Sequence, residues 1–141
     1  MVRVCRVDSA PTETIDGTQR ADLVSGEIGA ERFGMLLITV RPGSPPHVKY
    51  HFHKKKETAF FILKGKARIV VENKEYVVGP NDIIFVPPGE KHQLVNVGNT
   101  ELKIIEVYSP LPFEGDFFLV DEGEYCASLL QRRRSIKKAV P

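Results

Sequence analysis

Residues 43–65 read GSPPHVKYHFHKKKETAFFILKG, and the order of residue types in this stretch decides the fold class. Gly43 to Pro46 is a turn-rich segment that closes the apolar, β-branched run Phe33–Val40 before it. Thr58–Leu63 is a continuous apolar run that Lys64-Gly65-Lys66 ends, the length and punctuation of a short strand. Working outward, Ala67–Glu72 and Glu75–Val78 flank Asn73-Lys74, a two-residue hairpin signal. Ile83–Pro87 stops at Pro87-Pro88-Gly89, and Leu94–Val97 and Leu102–Tyr108 flank Gly98-Asn99-Thr100. Strands at this spacing, with no helical periodicity between them, predict an antiparallel sandwich or barrel. Val2–Val7 and Ala21–Val24 are further strand candidates around the polar segment Asp8–Gly17. Near the end, Cys126, Leu129 and Leu130 fall at helical spacing, which predicts a short C-terminal helix over Tyr125–Gln131.

The chain has 141 residues, 42% hydrophobic and 27% charged, the size and composition of one globular domain. Its expected parts are N-terminal strands over 1–32, a barrel core over 33–110, and an extension over 111–141 with the helix and a basic tail. No apolar run reaches the length of a membrane helix, and the first residues lack a signal-peptide core, so no membrane partner is expected. Cys5 and Cys126 form neither a disulfide framework nor a zinc pattern, and a reduced, cytoplasmic setting is the expectation. Arg132, Arg133, Arg134, Lys137 and Lys138 crowd the last ten residues without an acid, and the rest holds 15 bases against 18 acids. The body is mildly acidic, so it carries no nucleic-acid footprint. The tail is expected to be solvated and dispensable for folding.

Three of the four histidines fall in two compact places. His51 and His53 sit at i and i+2, so a strand turns both rings to one face. Glu57 follows four residues later, and His92 comes just after the Pro-Pro-Gly turn. Imidazoles and a carboxylate converging inside a barrel would make a site for a first-row divalent metal. The same residues also fit a plainer arrangement, in which His51 and His53 decorate an exposed hairpin end and His92 caps a turn.

Gly43, His51, His53, Glu57 and Gly65 resemble the first cupin motif, G-x5-H-x-H-x3,4-E-x6-G. Asn81, Pro87, Gly89, His92 and Asn96 resemble the second, G-x5-P-x-G-x2-H-x3-N. The resemblance spans about residues 20–110 and implies a small antiparallel jelly-roll barrel. It also implies one divalent metal per chain (zinc, manganese, iron or nickel) on His51, His53, Glu57 and His92. Two departures stand out besides Asn81, which replaces glycine where a turn needs positive φ. Seven residues, not five, separate Gly43 from His51. Counting forward from His53 puts the carboxylate position at Glu57, whereas counting back from Gly65 puts it at Thr58. Neighbouring strand residues face opposite ways, so the choice decides whether a carboxylate enters the barrel. Glu57 is the expectation, with a bulge or a flexible Lys54–Lys56 turn reconciling the counts; the other outcome is a three-histidine site.

The long first gap, Ile105-Glu106-Val107-Tyr108-Ser109, and Gly115-Asp116 resemble the cupin domain of type II phosphomannose isomerases. Pro45 and Lys49 stand where those enzymes carry lysine and glutamine, so the likeness is one of domain type. Lys49 shares parity with His51 and His53 and, with Phe60, is a candidate to contact a small-molecule ligand; the plainer arrangement puts Lys49 at the barrel mouth, snorkelling to water. His47 shares that parity too, and a solvated loop position is the simpler expectation for it. Lys54-Lys55-Lys56 is expected to be a solvated hairpin tip. Phe60, Ile62, Ile69, Val71, Ile83, Phe85 and Val95 are the expected core, with either Phe60 or Phe61 packing outside. The resemblance further implies a homodimer paired through N-terminal strands. Function then divides between a metal-dependent enzyme on a small polar metabolite, isomerase-like or dioxygenase-like, and a non-enzymatic ligand-binding module.

Overall fold

A computed structural model describes residues 1–46, 48–111 and 115–120. The expected helix over Tyr125–Gln131, Cys126, the basic tail and His47 lie outside the described residues.

The described chain is built almost wholly of antiparallel strands: β1 (Thr12–Ile15), β2 (Thr18–Val24), β3 (Gly34–Val40), β4 (His51–Phe52), β5 (Glu57–Lys64), β6 (Ala67–Val71), β7 (Lys74–Val78), β8 (Ile83–Val86), β9 (His92–Asn96), β10 (Leu102–Ser109) and β11 (Phe118–Leu119). They form two facing sheets, ordered β1-β2-β3-β10-β5-β8 and β11-β4-β9-β6-β7. The strand spacing predicts this two-sheet antiparallel arrangement, and the family resemblance implies its jelly-roll form. Among the described residues, no helix is long and apolar enough to cross a membrane.

Alternation sets the core. Along β10, Leu102, Ile104, Glu106 and Tyr108 point inward, and their neighbours point out. On β5 the inward set is Thr58, Phe60 and Ile62. Ile62, Ile69, Leu102 and Ile104 are essentially sealed from water and pack with Val40, Phe60, Ala67 and Val86. Each such side chain contributes roughly 1.5–3 kcal/mol by leaving water.

Three expectations change. Ile83 and Phe85 are 71% and 59% exposed, because β8 is an edge strand whose register pairs Ile84 with Phe60 and Val86 with Thr58. The inward residues of β8 are therefore Ile84 and Val86. The hairpin turn is Glu72-Asn73, one residue earlier than predicted: Val71 pairs with Lys74, and both turn residues have positive φ, as a two-residue type I′ loop requires. Residues 2–6 are exposed and join no strand, and the first strand forms instead at Thr12–Ile15 inside the polar segment, where β2 supplies a partner.

Candidate metal centre

His51 on β4 and His92 on β9 are direct cross-strand partners, and His53 follows β4 on the same face. All three rings are buried. Their centroids lie 4.3 Å apart for His51 and His92, 4.9 Å for His51 and His53, and 5.6 Å for His53 and His92. One ring nitrogen from each falls within 4.8 Å of the other two.

The backbone fixes which nitrogen that is. Nδ1 of His51 donates to the Lys49 carbonyl at 2.6 Å, and Nδ1 of His92 donates to the Glu90 carbonyl at 2.9 Å. Nδ1 of His53 donates to the Asp116 carbonyl. A carbonyl only accepts, so each Nδ1 carries the hydrogen and each Nε2 keeps its lone pair. Burial then keeps the rings neutral. Desolvation, with His92 close by, pushes His51 down to about 3, and desolvation first also lowers His53 and His92. Three neutral imidazoles with clustered ring nitrogens, each pinned through its Nδ1, suit a first-row divalent ion.

The structure does not bring Glu57 to this cluster. β5 runs against β10 in unbroken register from Glu57 opposite Ser109 to Ile62 opposite Ile104, and its one irregularity lies beyond Ile62. With Phe60 and Ile62 inward, parity puts Thr58 inside and Glu57 outside, and Glu57 is exposed. No bulge precedes Thr58 to reverse this. Lys49 is exposed as well, ahead of the short β4, and its carbonyl accepts from His51 Nδ1. Phe60 is buried and lines the cavity beside the histidines.

The cavity encloses about 150 Å³ between the sheets. Its wall includes Ile38, Leu94, Ile104 and Phe117, the last stacked on His51 at 4.8 Å. It also includes a residue expected in solvent: Lys56 is only 7% exposed, with Nζ 3.4 Å from Glu106 Oε1, while Lys54 and Lys55 are exposed as predicted. Asp116 organises this corner. Its carboxylate accepts from the backbone N–H groups of Lys54, Lys55 and Lys56 at 2.6, 3.0 and 2.9 Å. Burial raises the Asp116 carboxyl, but the three amides outweigh it, and the net shift is downward. Gly89, at positive φ, donates to the His53 carbonyl at 2.6 Å and ties the Pro-Pro-Gly turn to the site.

Residues 36–108, just over half the chain, match the family model described as the cupin domain. The chain belongs to the cupin family. Among curated proteins it is 33% identical over 95 residues to the mannose-1-phosphate guanylyltransferase ManC of Salmonella typhimurium, covering 67% of this chain and 19% of that protein. The chain thus spans about a fifth of the length of such relatives. Among solved structures it resembles a sugar phosphate isomerase of the cupin superfamily from Silicibacter pomeroyi (TM-score 0.67, 22% identity, 78% of this chain and 77% of that one). It also resembles a predicted oxalate decarboxylase from Thermotoga maritima (TM-score 0.68, 26% identity, 77% of this chain and all of that one).

Within this cupin, the remaining motif positions are structural. Asn81 has φ 71°, the turn conformation that glycine would otherwise supply. Asn96 spends its side chain on the backbone, donating to the Val40 and Thr100 carbonyls at 3.0 Å and accepting from Gly98 N–H at 2.9 Å. Lys56 and Asp116 escaped the sequence because one is the third of three identical residues and the other lies 60 positions away from Lys56.

Proposed function

We propose that this cupin is a metal-dependent enzyme acting on a small polar metabolite, a sugar phosphate or a carboxylic acid. One observation carries the reading: three buried imidazoles, each with Nδ1 bound to a backbone carbonyl, offer their other nitrogens to one point. His51, His53 and His92 would hold one divalent transition ion, zinc, manganese, iron or nickel, and leave further positions open. When bound, the ion supplies a Lewis acid that polarises a carbonyl or activates water or oxygen. The chain itself supplies the setting. Phe60, Leu94 and Ile104 keep the cavity dry, which strengthens every charge interaction inside it. Phe117 holds the His51 ring in place by stacking. Likeness to a mannose-1-phosphate guanylyltransferase and to a predicted oxalate decarboxylase supports sugar phosphates and small acids as the classes to try.

Pairing of two chains belongs to the same proposal. β1 is an exposed edge strand with one side of its backbone open, and Ile83 and Phe85 stand exposed on the opposite edge. Sedimentation at the monomer mass would overturn that part.

The functional test reconstitutes the chain with each of the four metals and assays a panel of sugar phosphates and carboxylic acids. Turnover in the metal-loaded chain and none in the metal-free chain is expected. Ligand binding without turnover on any substrate would mark a binding module instead.

A further inference from the structure

A sandwich normally turns the polar side of each antiparallel sheet outward. The sheet β11-β4-β9-β6-β7 keeps charge on that side, where Arg68 and Glu75 form an ion pair at 3.4 Å. The other sheet does not. Its strand register lines up Ile83, Phe61, Ile105, Leu37 and Ala21 in one outward row across β8, β5, β10, β3 and β2. The next row holds Phe85, Ala59, Val107 and Met35. No charged side chain interrupts either row, and Lys103 and Glu57 stand beyond them at opposite ends. The two edges of the face differ in relief. Ile83 and Phe85, 71% and 59% exposed, project along the β8 edge. Toward the other edge a hollow of about 400 Å³ opens around the small Ala21, walled by Val7, Gln19 and Thr39.

We propose that a second copy of the chain docks on this face, sheet against sheet. The inference rests on the pairing of two chains proposed above and names the surface that makes it, in place of a backbone edge. Five strands about 4.8 Å apart and about seven residues long cover roughly 550 Å² in projection, and side-chain relief brings that toward the ~800 Å² per partner of a standard interface. The face is also complementary to itself. β10 runs midway between β8 and β2, so a two-fold axis along β10, between the faces, lays each chain's β8 over the other's β2. Ile83 then meets the hollow at the partner's Ala21, Phe85 packs beside it, and the same contact repeats across the axis. Edge-to-edge pairing through β1 would leave both apolar rows in water. The last described strand, β11, belongs to the opposite sheet, so the described end of the chain does not cover the face.

Sedimentation velocity of the full chain over a range of concentrations tests this, with circular dichroism read on every sample. The variants are Ile83→Glu, Ile83→Glu/Gln19→Lys and the reversed pair Ile83→Lys/Gln19→Glu. Positions 83 and 19 are both exposed in the single chain, so each variant should keep the wild-type spectrum. The wild type should sediment at twice the chain mass. Ile83→Glu counts twice across the axis and should weaken pairing roughly 100-fold. Adding Gln19→Lys should recover about tenfold, because positions 83 and 19 then carry opposite charges on facing chains, and the reversed pair should do the same. A folded Ile83→Glu chain that pairs like the wild type would overturn this face and leave the pairing of chains intact. Absence of recovery in both charge pairs would overturn the two-fold placement, and the inference with it. A wild type that stays monomeric would instead sink the pairing itself, and this face along with it.

Discussion

Strand β10 carries one inward row of four residues, and its two halves differ in kind. Leu102 and Ile104 are sealed in an apolar core with Ile62 and Ile69, while Glu106 and Tyr108 both meet Lys56 and Glu106 lines the histidine cavity. One strand thus serves a dry half that stabilises the barrel and a polar half that stores chemistry. Neither half need be tuned for the other's task. Substitutions in the dry half should change stability without changing metal binding, and substitutions in the polar half should separate the two.

The sharpest way to break this contrast is Glu106→Leu alone. It removes the carboxylate opposite a buried ammonium, and a loss of about 3–5 kcal/mol in chemical denaturation is expected. Adding Lys56→Met should restore most of that loss, which a purely structural pair of good net value would not allow. Next, Ile62→Ala in the dry half should cost about 2–5 kcal/mol through lost burial and a cavity. Its metal content per folded chain should match wild type; a drop would mean that the halves are coupled.

Asp116→Ala removes the acceptor for three amides next to His53, and a loss of about 1–3 kcal/mol in denaturation is expected. Because the Asp116 carbonyl still takes the His53 hydrogen bond, metal affinity should weaken but survive. The gentlest effect is that of pH on the metal-free chain. The three histidines are lowered in the fold, so below about pH 6.5 the unfolded chain binds more protons than the folded one. Stability should therefore decline on acidification from that point toward about pH 3, where His51 titrates. The lowered Asp116 carboxyl adds a loss of the same sign at the acid end. A midpoint that rises on acidification would contradict buried neutral rings.

Much of this was legible in the sequence, and the misses have physical causes. Strands such as Gly34–Val40 and Leu102–Ser109 announced themselves by composition and turn punctuation, and His51, His53 and His92 by spacing. Ile83 and Phe85 misled because Ile83-Ile84-Phe85-Val86 is apolar on both faces, and only pairing with β5 decides which face is inside. Glu57 misled because the count from His53 crosses three lysines outside any strand, while parity is set by Phe60 and Ile62 downstream. Lys56 looked like its two neighbours, and only the Asp116 carboxylate folds that segment so that one lysine turns in.

Under the proposed function His51, His53 and His92 hold the metal, and Glu57 adds no fourth carboxylate. The direct test is equilibrium metal affinity of wild type, Glu57→Gln and His92→Ala, with one ion compared throughout. Glu57→Gln should bind like wild type, and His92→Ala should lose more than the roughly 10–100-fold that removing an outer-shell partner costs. A Glu57→Gln chain that loses affinity as His92→Ala does would contradict it and restore the carboxylate to the site.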